Sequence, residues 1–190
     1  MPIKLNNHMK RFYCILFLVC TVMVNSQHRL KINAATTVLG FPSIGYEKLI
    51  GTHFGFHVDA IGSLFNQYNH MPLKFLIITP EFRYYPKKGQ TGFFVGGHIG
   101  GSTFELQKYN YANSSFYQEG YNYMAGISLG YYVPITKNMA LEAFVGGGSI
   151  QSFYNGYDAA TGQRYEGTIH YNKSGEWLPY RGGLNVIWKL

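Results

Sequence analysis

Ten ionisable side chains share one parity of this chain's alternating segments: Lys31, Glu47, His57, Asp59, Glu81, Arg83, His98, Glu142, Arg181 and Lys189. Collected on one face, such a set can relay protons or supply general acids and bases. It can equally neutralise itself as a buried polar interior. The balance favours the second. Glu47, Asp59, Glu81 and Glu142 stand against Lys31, Arg83, Arg181 and Lys189, and charges removed from water are retained when they are paired. These eight are expected to form a structural ionic cluster, with Glu81, Arg83 and Glu142 at its centre.

Other chemistries find less support. A hydrolase would need a base within hydrogen-bond reach of a hydroxyl. His98 and Ser102, with Glu81 or Glu142 as orienting acid, are the candidates. Four residues apart on one strand, His98 and Ser102 are about 13 Å distant at ~3.3 Å per residue. The seven histidines show no helical H-x-x-x-H spacing for a metal. Gly96-Gly97 and Gly146-Gly147-Gly148 lie inside strand-like segments and not before a helix, so they are not phosphate loops. Aromatic residues are not interleaved with basic clusters, which argues against nucleic acid. No catalytic, cofactor-binding or metal residue is expected.

The segments that must position these groups show period-two alternation and no long helical period. Eight strands are expected: Leu30 to Leu39, Ser43 to Ile50, His53 to Gly62, Lys74 to Tyr85, Gly92 to Ser102, Tyr121 to Val133, Met139 to Ile150 and Pro179 to Leu190. Each is near the ~9–11 residues of a tilted membrane-crossing strand. Pro80 falls inside the fourth, where its missing N–H predicts a bulge. Short turns (Ile50 to His53, Pro86 to Gly92, Pro134 to Asn138) alternate with longer loops (Gly62 to Leu73, Phe104 to Gly120, Gln151 to Leu178). Such alternation suits a barrel with one end towards the periplasm and one outward. The polar parity would then face inward. The other parity, exemplified by Ile127 and Val145, would face lipid, with Tyr, Phe and Trp near the strand ends. Arg at Ser128 is accordingly expected to cost less than Arg at Ile127. An eight-stranded ring is just wide enough for side chains to fill it, so a plugged interior is expected.

The amino-terminal stretch supports export. Lys4, Lys10 and Arg11 precede a nearly unbroken apolar run from Phe12 to Val24, and Val24 and Ser26 supply the small residues of a cleavage site. Residues 1–26 therefore read as a signal peptide and 27–190 as one domain, with Met1 or Met9 as the start. A lipidated Cys20 is the rival, disfavoured by Val19 where a small residue is wanted. Both cysteines, Cys14 and Cys20, fall in the signal, so the mature chain would carry no disulfide. The formal charge of +7 shrinks once three of its basic residues leave with the signal. Mass spectrometry of the mature amino terminus should find Gln27 there; a lipidated Cys20 would refute this reading.

Pro80-Glu81-Phe82-Arg83-Tyr84-Tyr85, Gly126-Ile127-Ser128-Leu129-Gly130-Tyr131 and Leu141-Glu142-Ala143-Phe144-Val145-Gly146 carry a resemblance. The chain resembles small bacterial outer-membrane β-barrel proteins of the OmpA/OmpX-like type, and more closely an uncharacterised family of such barrels. The ending Trp188-Lys189-Leu190 departs from the aromatic terminus common in such proteins. The resemblance implies an all-β, eight-stranded antiparallel up-and-down transmembrane barrel in the bacterial outer membrane. It would contact outer-membrane lipid and act as a structural or surface-binding protein. An extracellular ligand would meet loops 104–120 and 151–178, whose Tyr, Asn, Ser and Gly suit adaptable binding surfaces. The alternatives are a lipid-modifying outer-membrane enzyme and a secreted soluble lipocalin-like barrel. Fold alone does not assign the task.

Overall fold

The computed structural model describes residues 28–108, 111, 114–165 and 172–190. The proposed signal, 1–26, lies outside them. Among the described residues the chain forms nine strands and one short helix. The strands are β1 (His28–Asn33), β2 (Ser43–Ile50), β3 (Phe54–Gly62), β4 (Gln67–Tyr68), β5 (Met71–Tyr84), β6 (Gly92–Leu106), β7 (Phe116–Pro134), β8 (Met139–Asp158) and β9 (Asn172–Lys189); the helix α1 is Ala34–Val38. Every pairing is antiparallel between chain neighbours, in up-and-down order. The exceptions are β3 with β5, which skips β4, and β1 with β9, which closes the hydrogen-bonded ring.

Eight expected strands become nine because β4 folds back on the start of β5, with Tyr68 opposite Met71. Asn69 and His70 between them have φ of 50° and 64°. Positive φ at both central residues is the geometry of a two-residue hairpin turn whose twist matches its strands, and asparagine tolerates it best. Among the described residues, β4 pairs with β5 alone and takes no part in the ring.

Three further expectations are corrected. The first strand stops at Asn33 and does not run on to Leu39. The Asn33 side chain accepts from the Thr36 N–H, and its carbonyl accepts from the Thr37 hydroxyl at 2.6 Å. That cap starts α1, and Gly40, at φ 86°, ends it by donating to the Thr37 carbonyl. A local cap outcompetes the ladder because Ala34, Ala35 and the threonines fit either period. Pro80 makes no bulge. The ladder to β6 skips Thr79 and Pro80 and resumes in the same register, Ile78 with Gly101 and Glu81 with His98. One lost donor is bridged by its flanking pairs. The bulge lies in β9 instead: Gly146 pairs with Arg181 and Gly147 with Pro179, leaving Tyr180 extra. Finally, the segments assigned to loops 104–120 and 151–178 are in part strand, at 104–106, 116–120, 151–158 and 172–178. β6 to β9 extend well past the expected ends, making one side of the ring taller than the other. Cross-strand aromatic pairs such as Tyr117 with Tyr157 and Tyr121 with Phe153, both stacked, hold this extension together.

The polarity of the sheet is inverted relative to a water-soluble protein. Arg83, Glu47 and Glu142 are wholly buried, whereas Ile99, Ile127 and Val145 are 65%, 63% and 57% exposed. The short-turn end of the interior is closed by Tyr85, Phe94, Tyr132, Ala140 and Ile187. The ionic groups lie above this plug.

Candidate functional site

Strand parity sends alternate side chains of all eight ring strands into the interior. At two places the absence of a side chain makes room for a charge. A Cβ on Gly96 would fall 2.0 Å from a Glu81 oxygen, and one on Gly55 would fall 2.7 Å from a Glu47 oxygen. These glycines allow carboxylates to cross a narrow interior towards cations on the far wall.

The result is one connected network. Glu142 on β8 takes Lys31 at 2.7 Å, both oxygens face Arg83 at 3.0 and 3.1 Å, and Asn185 donates at 2.8 Å. Lys31 also reaches Glu47 at 3.0 Å. Glu47 accepts from the Tyr85 hydroxyl at 2.6 Å and meets Arg29 at 3.3 Å. Arg83 donates to Glu81 at 3.0 Å, and Ser128 donates to the other Glu81 oxygen. Higher up, Arg181 links Glu81 at 3.1 Å to Asp59 at 2.6 Å. His57 stands between the same two acids at 3.4 and 3.8 Å. Cation–π contacts tie the network to the plug below: Arg29 lies 4.1 Å from the Tyr132 ring centre and Arg83 lies 4.3 Å from that of Phe94.

Seven of the eight residues expected in the cluster are brought together: Lys31, Glu47, Asp59, Glu81, Arg83, Glu142 and Arg181. Lys189 is not. It lies at the short-turn end, where its ammonium reaches the Thr136 carbonyl at 3.4 Å. Its place in the charge balance is taken by Arg29, 3% exposed, which sequence reasoning missed by starting the strand at Leu30, two residues late. The signal was available, since Arg29 shares parity with Lys31. Among the described residues, four carboxylates thus still meet four permanent cations.

The candidate catalytic pair is not assembled. His98 Nε2 is bonded to the Tyr180 hydroxyl at 2.6 Å, and the Ser102 hydroxyl donates to Asn122 at 2.7 Å. His57, Asp59 and Glu81 approach closely enough to share a metal ion. The Arg181 guanidinium already bridges the two acids, so a cation occupies that role.

Outside the ring, the tall wall ends in an aromatic patch. Phe116 and Tyr165 have ring centres 4.4 Å apart, and Lys108 lies 3.5 Å from the Tyr154 ring centre. Burial there pushes the Lys108 ammonium below its usual pKa, with Glu176 opposing the shift. Asp158 is held below the usual carboxylate range by hydrogen bonds from Ser115, the Ala160 N–H and Thr161.

The fold and interior define an all-β antiparallel protein with a ring of hydrogen bonds around a charged core. The chain belongs to the family described as "Protein of unknown function (DUF3575)", whose model matches residues 11–190. No curated protein and no solved structure matches it.

Proposed function

We propose that this chain is a small OmpA/OmpX-like outer-membrane β-barrel. Its plugged polar interior is structural, and its outer end acts as a surface-binding or structural element. One observation carries the reading: the buried face is ionic and the exposed face is apolar. In water the exposed isoleucines, leucines and valines would be an aggregation hazard; in lipid they are the favourable surface.

The spacing of aromatics along β7 supports the same reading. The exposed run Leu129, Ile127 and Ala125 lies between Tyr131 on one side and Tyr123 and Tyr121 on the other. Tyr131 and Tyr121 are ten positions apart, about 25 Å along the normal at ~3.3 Å per residue and ~40° tilt. That equals the height of the apolar band between the aromatic girdles of outer-membrane barrels. No helix among the described residues is long and apolar enough to cross a membrane, which leaves strands as the spanning elements of this reading. A lipocalin-like barrel would need an apolar interior and a polar outer face, the reverse of the arrangement here. The surface offered outward is the aromatic wall of β6 to β8, where Tyr117, Tyr157 and Phe116 supply rigid contact area.

Membrane fractionation tests this. The protein should stay with the outer membrane through a carbonate wash, need detergent for release, and migrate faster unheated than boiled in gels. Release into the soluble fraction by the wash alone would refute the proposal.

A further inference from the structure

Above the ionic network, the interior holds a cavity of about 190 Å³. Ile61, Ile77, Met124, Phe144 and Ile150 form its apolar walls, and Arg181, Asp59 and Tyr180 share its polar side with Asn33, Thr36, Ser43, Thr79 and Asn122. The β9 bulge supplies Tyr180 and Arg181 to that side. The extra residue places Tyr180 and Arg181, adjacent in sequence, both inside the ring, where they reach His98 and Asp59. Bulges of this kind re-aim side chains.

Arg181 is 92% buried by its 8% side-chain exposure, and its terminal nitrogens face Asp59 and Glu81. Among the described residues, its Nε–H has no hydrogen-bond partner. A buried donor left unmet is costly, whereas a bound acceptor removes that cost. Three properties of an occupant follow. It must accept a hydrogen bond, because a guanidinium only donates. It must be uncharged, because four carboxylates already balance Arg29, Lys31, Arg83 and Arg181. It must be small enough for about 190 Å³, with an apolar body to meet Ile61, Ile77, Met124, Phe144 and Ile150.

We propose that this cavity is a binding site for a small uncharged carbonyl compound, or the carbonyl-bearing tip of a larger one. Its oxygen accepts from Arg181 Nε–H, and its apolar body packs on Ile61, Ile77, Met124, Phe144 and Ile150. The site lies inside the ring and does not depend on what covers the outer face.

The test uses the folded protein with ¹³C-methyl methionine, titrated with cyclohexanone. The Met124 methyl should shift saturably while Met71 and Met139 stay still. Methylenecyclohexane, the same shape without an acceptor, should bind about tenfold more weakly, as the loss of one hydrogen bond predicts. Arg181→Lys keeps a charge against Asp59 and Glu81 but gives up the Nε–H, and should weaken the ketone to a similar degree. Ile150→Trp fills the cavity without touching an ion pair and should abolish the Met124 response. No saturable Met124 shift, equal affinity for the two probes, or tighter binding of cyclohexanecarboxylate would each overturn the proposal. Should Arg181→Lys fail to fold, the paired probes and Ile150→Trp still decide it.

Discussion

Glu142→Ala is expected to destabilise the protein by about 3–5 kcal/mol, the cost of leaving buried charge uncompensated. Glu142 is fully buried and takes Lys31, Arg83 and Asn185 at 2.7 to 3.1 Å. Without it, four cations face three carboxylates. Lys31 keeps Glu47 and Arg83 keeps Glu81, but the excess positive charge cannot reach water. The double change Arg83→Met with Glu142→Leu returns the interior to three against three. It should therefore be less destabilised than the sum of its two single changes by at least ~1 kcal/mol, the coupling expected of contacting partners. Denaturant titrations of all three variants in lipid vesicles give the cycle. Simple additivity would mean that the pair does not act as a pair.

The second large effect concerns the outer face. Arg at Ile127 or at Val145, both well exposed on the apolar side, should cost roughly 2–4 kcal/mol in a bilayer, as a lipid-facing cation near the midplane does. Ile135→Arg is the control. Ile135 is also exposed but lies in the turn between β7 and β8, so its change should stay within ~0.5 kcal/mol. Ser128, which parity alone suggests as a mild site for Arg, is not one. It is 1% exposed, donates to Glu81 and sits against Gly146, so an arginine has no room there. Refolding into vesicles reads these differences directly. Equal costs at Ile127 and Ile135 would sink the membrane reading of this face.

The interior shows how far parity reasoning reaches. Lys31, Glu47, Glu81, Arg83 and Glu142 were legible as one buried set, because side-chain direction in a strand repeats every two residues. Parity gives the face but not the height. Lys189 has the inward parity yet lies too close to the short-turn end, beside the Thr136 carbonyl. Arg29 has the right height, and its pairing with Glu47 depends on the register Arg29 to Glu47 across β1 and β2. Register between strands is a tertiary quantity, set by turn geometry and by the fit of many side chains together.

The sequence by itself determined the alternating grammar, the inward charged face, the outward apolar face and the order of short and long connections. All of these follow from local period and composition. The tertiary structure alone decided where strands stop and bend. Asn33 caps a helix where alternation continues, and β9 bulges at Tyr180, where a pattern centred on Pro80 pointed elsewhere. The extension of β6 to β9 into the expected loops also belongs to tertiary structure. Residues 151–158, which mix polar and aromatic residues, become strand where Phe153 and Tyr157 meet Tyr121 and Tyr117 across the ladder. Strand propensity of that kind resides in the cross-strand pair, which only the register brings together.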